Sequence, residues 1–216
     1  RALMDIARLD QFPSMYTLGF VLGPRLNAGG RLGCSDLGVQ ILTNSDPDIA
    51  DTLAMQIDRL NTERRAEEAA VRIAAEQMAE EKLAAQPDLP VLVLAKQNWH
   101  EGVIGIVAGR LKDAYNRPVI IISFDAQGRG KGSARSVAGF SIGDQILAAC
   151  ELGHLKSGGG HDMAAGLGLD EAQLADFEMF LIDRARTVFS GVPNRVFSYC
   201  HSLSVAGCNS ALVDGL

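Results

Sequence analysis

Two hydrophobic periods alternate along this chain, and the change from one to the other divides it. Over residues 47–86 the apolar positions recur at helical steps. Ile49, Leu53, Ile57 and Leu60 follow at intervals of four, four and three, and Ala66, Ala69, Ala70 and Ile73 extend the stripe. Asp46 supplies a capping carboxylate and Pro47 stands at the first helical position, where no N–H is needed. Pro87 and Pro90 end the run. About forty residues at 1.5 Å each span roughly 60 Å, more than one small core requires. The predicted helix is therefore a connector between two lobes.

Beyond residue 90 short β-branched runs alternate with helical patterns. Val91, Leu92, Val93 and Leu94 predict a buried strand, and residues 102–115 a helix with Val103, Ile106, Val107, Leu111 and Ala114 on one side. Residues 118–122 and 129–136 predict further strands, 141–150 a helix capped by Ser141, and 164–169 another strand. Asp170 caps a last helix carrying Leu174, Phe177, Phe180, Leu181 and Val188. Such alternation predicts an α/β layer domain with a mixed or largely parallel sheet.

The flanks read differently. Residues 1–22 open on a short helical pattern broken by Pro13. In residues 23–33, glycines and Pro24 predict a loop, and Arg25, Asn27 and Arg31 within it suggest an anion site or a solvated loop. After Pro193, residues 196–199 and 202–205 look like the first strands of a further β-rich unit. The opening on Arg1 and the close on Leu216 suggest two cuts in a longer protein.

Composition narrows the picture modestly. An apolar share of 47% suits a globular core, and no run approaches the ~20 apolar residues of a membrane span. Cys34, Cys150, Cys200 and Cys208 show no zinc spacing; Cys200, His201 and Cys208 come nearest and lack a fourth ligand. Scattered thiols suggest a reducing cytoplasm. The net charge of −6 comes from residues 46–88, with 5 basic and 11 acidic groups, while residues 1–45 and 89–170 each carry +1. Overall charge thus neither favours nor excludes a polyanionic partner.

Three segments of the α/β region carry candidate chemistry, because ligands of open sheets gather at strand-to-helix loops. Trp99, His100, Glu101 and Gly102 precede a helix whose N-terminus attracts anions; His100 could donate a hydrogen bond and Trp99 a stacking face, or the segment is a plain capping turn. Residues 128–136 miss the P-loop spacing, since Gly132 follows Lys131. What remains is a strand with Arg129, Lys131, Ser133 and Arg135 on one face, suited to a phosphate or carboxylate or else a charge-guarded edge. In Lys156, Ser157, Gly158, Gly159, Gly160, His161 and Asp162, three glycines allow positive φ, so a turn with an amide nest and a histidine donor is predicted.

Taken in order, these segments resemble the RecJ branch of the DHH phosphoesterases. The likeness rests on Gly23-Pro24-Arg25-Leu26-Asn27-Ala28-Gly29-Gly30-Arg31, the long acidic helix, His100-Glu101-Gly102-Val103-Ile104-Gly105, Ser133-Ala134-Arg135-Ser136 and Gly158-Gly159-Gly160-His161-Asp162. Gly30 departs from the alanine more usual there. The resemblance implies a 5′-to-3′ single-stranded-DNA exonuclease of the cytoplasm, active in repair and recombination, in which two Mn or Mg ions activate water. This sequence holds no Asp-His-His signature. No catalytic or metal-binding residue is therefore expected within it, and the ligands are expected upstream of Arg1.

By the same resemblance, residues 1–45 would end the DHH lobe and 46–88 connect it to a DHH-associated substrate-binding domain at 89–190. An OB-like domain would then begin at 191–216. Arg25, Asn27 and Arg31 would face the cleft from the first lobe. His100, Ser133, Arg135, His161 and the amides of Gly158, Gly159 and Gly160 would hold DNA phosphates from the second, positioning the strand without reading its sequence. Two alternatives stand beside this: a DHH hydrolase of short oligonucleotides or nucleotides, and a non-catalytic nucleotide-binding module.

Overall fold

The computed structural model describes residues 1–193, 199 and 202–215. Five short helices come first: α1 (Ala2–Ile6), α2 (Met15–Thr17), α3 (Gly23–Leu26), α4 (Ala28–Arg31) and α5 (Leu37–Thr43), with a π-turn at Leu18–Leu22. The long helix α6 (Pro47–Ala85) follows. The α/β region runs β1 (Leu92–Gln97), α7 (Glu101–Tyr115), β2 (Val119–Phe124), β3 (Arg129–Arg135), α8 (Ile142–Glu151), β4 (Ser157–His161), β5 (Ala164–Asp170) and α9 (Leu174–Val188). Of the strands expected near the end, residues 196–198 lie outside the described residues. Residues 202–204 form no strand; they lead into a 3₁₀ turn at Val205–Gly207 and a short helix at Ser210–Asp214.

The five strands make one sheet in the order β1-β2-β3-β5-β4. Only β1 and β2 run parallel, joined by α7 as a crossover; the remaining pairs are antiparallel. The sheet is therefore mixed, as expected, but not largely parallel, because β2–β3 and β4–β5 are joined by connections too short for a crossover. Leu92, Leu94, Val119 and Ile121 pack under α6 and α7. Val93, Ile120, Ile122, Ala165 and Leu167 pack on the other face with Ile142, Ile146, Phe177 and Leu181 of α8 and α9. Strict alternation along β1 and β2 feeds both cores, which is why their sequences read as unbroken apolar runs.

Residues 23–33 are not a loop. Pro24 lies in the first turn of α3, where its missing N–H is harmless, and α4 follows directly. Glycine serves here for close packing: a Cβ on Gly29 would overlap the Cys34 carbonyl, and one on Gly23 would lie 2.9 Å from the Leu18 carbonyl oxygen. Only Gly33 of this segment adopts positive φ.

The long helix runs as predicted, with the Asp46 carboxylate accepting from the Asp48 and Ile49 amides. Its first turns pack Leu53, Ala54 and Ile57 on Ile41, Leu26 and α1. The predicted extension of the stripe is wrong, however. Ala66, Ala69, Ala70 and Ile73 are exposed, and the buried line continues from Ile57 through Asn61, Arg64, Glu68, Val71, Ala75 and Ala79. Charged residues occupy the middle of the buried face because they pair there. Arg64 donates to Glu68 and to Asn61, and Glu68 also takes Arg110 of α7 at 2.5 Å.

Candidate nucleic-acid interface

Register decides which side chains share a face. Opposed residues of antiparallel strands point the same way. Arg135 is opposite Ala164, which is opposite His161; Ser133 is opposite Gly166, which is opposite Gly159; Lys131 is opposite Gly168, which is opposite Ser157. Three ranks therefore cross β3, β5 and β4 on the face that α7 covers only as far as β3. Beyond β3 the floor is small. A Cβ added at Gly166 or Gly159 would meet nothing within 4 Å. Strand spacing of about 4.8 Å puts His161 roughly 10 Å across this floor from Arg135.

The N-terminal end of α7 forms one wall. Gly105 sits directly over the cationic strand, where a Cβ would lie 2.9 Å from the Ser133 hydroxyl and 3.2 Å from a guanidinium nitrogen of Arg135. Arg135 donates to the Ser133 Oγ at 3.1 Å and to the Ala134 carbonyl at 2.8 Å. Accepting that bond leaves the Ser133 proton free for a ligand oxygen. Arg31 comes from the first helices to meet them. It donates to the Gly102 carbonyl at 3.1 Å, and the Arg31 backbone lies so close to Gly102 that no Cβ fits between them. A cavity of about 380 Å³ is lined by Arg31, Gly102, Gly105, Lys131, Ser133 and Arg135, among others.

Charge pairing separates the two ends of this groove. Lys131 is held by Glu101 at 2.8 Å, Arg129 by Asp125 at 2.8 Å and Lys156 by Asp170 at 2.5 Å. Among the described residues, Arg31 and Arg135 have no carboxylate partner. Burial, and after it the neighbouring Arg31 charge, pushes the Arg135 guanidinium below the ordinary arginine value. Two adjacent uncompensated guanidiniums beside a hydroxyl proton favour an anion.

The other expected residues divide. His161 is exposed at the end of β4, near Ser141, Asp144 and Asp162. Gly158, Gly159 and Gly160 lie in an edge strand, not a turn, and none has positive φ; the amide nest is corrected to a flat strand whose reversal falls at Asp162 and Met163. His100 caps α7, its Nδ1 accepting from the Gly102 amide at 3.1 Å. Trp99 is buried in the core under α7 and offers no stacking face. Arg25 is tied to Asp58 at 2.8 Å and to the Val21 carbonyl; with Asn27 it lines a separate cavity against α6. The sequence reading missed Gly105 and the Arg64–Glu68–Arg110 cluster. The signal for Gly105 was a glycine inside a helix, a cost that close packing explains.

Among the described residues no cluster of three or more His, Cys, Asp or Glu side chains could hold a metal ion. The residues present therefore do not fit a metal centre, and no step through one follows from them. Cys200 and His201 lie outside the described residues. No helix among the described residues is long and apolar enough to cross a membrane.

Residues 88–187 match the DHHA1 domain family. Over 183 residues the chain is 40% identical to the single-stranded-DNA-specific exonuclease RecJ of Haemophilus influenzae, covering 82% of this chain and 32% of that protein. It is 38% identical over 182 residues to RecJ of Escherichia coli, with the same coverage of each. The crystal structure of RecJ with Mg2+ from Thermus thermophilus superposes with a TM-score of 0.74 at 31% identity, covering 88% of this chain and 28% of that one. RecJ has also been solved with Mn2+. The chain thus spans about a third of the length of the curated relatives it matches.

Proposed function

We propose that this chain, whose residues 88–187 match the DHHA1 domain family and most of which is similar to RecJ exonucleases, is the strand-holding part of a 5′-to-3′ single-stranded-DNA exonuclease. Arg31, Ser133 and Arg135 hold a phosphate of the strand, and His161 reaches it from across the glycine floor. Cutting by divalent Mn or Mg ions belongs to residues outside this chain. In the same reading residues 1–45 close the catalytic lobe, 46–88 connect, 89–190 bind substrate, and the protein works in cytoplasmic repair and recombination. Asn27, Arg25 and His100 contribute to the strand's surroundings more than to this phosphate.

One observation carries the proposal: Arg31 and Arg135, brought together from segments a hundred residues apart, face an open floor without a carboxylate between them. Bases need no pocket in such a site, because backbone contacts alone set affinity and make it salt-dependent. The test is fluorescence anisotropy of an oligothymidylate with the chain across a salt series. Arg135→Ala should weaken binding and lower the log–log salt slope by about 0.7, the single-strand value per phosphate contact. Saturable binding of a mononucleotide with no gain from a longer strand would replace this reading with a nucleotide-binding module.

A further inference from the structure

A second cationic cavity, of about 560 Å³, lies between α3, α4, α6 and α7. Arg25, Arg31, Arg64, Arg65, Arg72 and Arg110 line it, against one carboxylate in the lining, Glu68. Allowing also for Asp58 and Glu76, which hold Arg25 and Arg72, the cavity keeps an excess of three positive charges. Arg64 has a side chain only 9% exposed and spends its terminal nitrogens on Glu68 and Asn61, so it lends the wall charge more than a free donor. A surplus of guanidiniums around one open cavity favours an anionic oxygen.

Arg31 lines this cavity and also the groove beside Arg135. The two spaces therefore share a side chain and meet at α4. We infer that the arginine cavity on α6 is a second phosphate subsite, which takes the next part of the same single strand after the phosphate held by Arg135 and Ser133. The inference rests on the strand-holding reading above. The strand leaves the glycine floor past Arg31 and runs along α6. There Arg65 and Arg72, one exposed and one partly exposed, meet phosphates at the rim, while Arg110, set by Glu68, meets them from the wall.

The test compares the chain with an Arg65→Gln, Arg72→Gln double variant, binding oligothymidylates of two and of about twelve nucleotides over a salt series. Both replaced side chains reach solvent, so the fold should survive; Arg65→Gln alone, fully on the surface, is the second measurement. The double variant should lower the salt slope for the longer strand by about 1.4 and the single variant by about 0.7, with dinucleotide binding unchanged. Arg135→Ala should weaken both ligands. Unchanged slopes in the α6 variants beside a reduced one in Arg135→Ala would overturn the second subsite and leave the first reading intact. No effect of Arg135→Ala would overturn the first reading itself. If millimolar inorganic phosphate abolished the effect of the α6 variants without reducing strand affinity, the cavity would be a free-anion site, and the inference would fail.

Discussion

Alanine at each of the three consecutive glycines of β4 should not give one common result. A Cβ on Gly160 would lie 2.5 Å from the Ala165 Cα and overlap the Ala164 carbonyl, both backbone atoms of the neighbouring strand. Overpacking costs about 1–3 kcal/mol, and the upper end applies where no side chain can move aside. For a chain of this size about 3 kcal/mol corresponds to a Tm lower by roughly 6–12 °C. Gly159→Ala meets nothing within 4 Å and requires no positive φ. It should keep or raise Tm, by about 0.4–1 kcal/mol from the stiffer unfolded chain. Its methyl group would nonetheless stand on the open floor opposite Gly166, and oligonucleotide affinity should fall several-fold. Gly158→Ala would make its Cβ overlap the Cγ2 of the buried Ile146 and lie 3.1 Å from the Gly166 carbonyl oxygen, so the core must shift and its loss should approach that at Gly160. Thermal melts and anisotropy on the same preparations separate the effects. An amide-nest turn would make all three substitutions alike, so equal Tm losses at Gly159 and Gly160 would refute the edge-strand account.

Other expectations follow from single contacts. Glu68→Gln removes the carboxylate shared by Arg64 and Arg110 and leaves Arg64 buried without its counter-charge. Urea denaturation should show a loss of about 3–5 kcal/mol, largely recovered when Arg64 is also made Met. The Asp125 carboxyl is held below the ordinary carboxylate range by the Arg129 backbone N–H first and its side chain next. Its contribution is present above the usual aspartate value and is lost as pH falls through its lowered one, so NMR titration of the Asp125 carboxyl should show a midpoint below the free-peptide value; a midpoint at or above it would contradict the contact. Burial pushes the Cys150 thiol up, whereas Cys34 and Cys208 are exposed. Mass-mapped alkylation near neutral pH should modify Cys34 and Cys208 well before Cys150; early labelling of Cys150 would place its helix wrongly.

What the sequence revealed depended on whether local patterns and tertiary contacts agreed. The capped start of α6, the cores of β1 and β2 and the alternation of β3 were legible because period, caps and packing point the same way. Gly23, Gly29, Gly158 and Gly160 misled for one reason: glycine marks either an unusual φ or a close approach, and only the fold distinguishes them. Here the close approaches win, so a predicted loop becomes helical turns and a predicted turn becomes a strand. The buried stripe of α6 was misread at Ile49 and past Leu60 because a period count scores apolar residues, whereas Ile49 is exposed and the buried line beyond Leu60 begins with an asparagine, an arginine and a glutamate that pair with one another. Arg31 and Arg135 were legible as cations in glycine-rich surroundings, and Ser133 as a hydroxyl beside one of them. That Arg31 and Arg135 lack carboxylates, while Lys131, Arg129 and Lys156 each have one, could not be read without the register.

The pairing across α6 bears on how firmly that site is held. Arg31 reaches the sheet domain from the first helices, so its distance from Arg135 depends on how those helices, α6 and α7 are fixed to one another. Three ties do this. The Arg31 backbone rests on Gly102 with no room for a Cβ, the Arg25–Asp58 pair ties α3 to α6, and Glu68 clamps α7 to α6 through Arg110. An apolar seam at the middle of α6 would tolerate sliding by a helical turn, because dispersion contacts have no preferred partner. Glu68 does not, since it stays paired with Arg64 of its own helix but grips Arg110 of α7 at one register only, and a shift of α7 breaks that second contact. Charge in the buried stripe thus does for the register of this junction what glycine does for its closeness, and together they hold two cations from opposite sides beside one another.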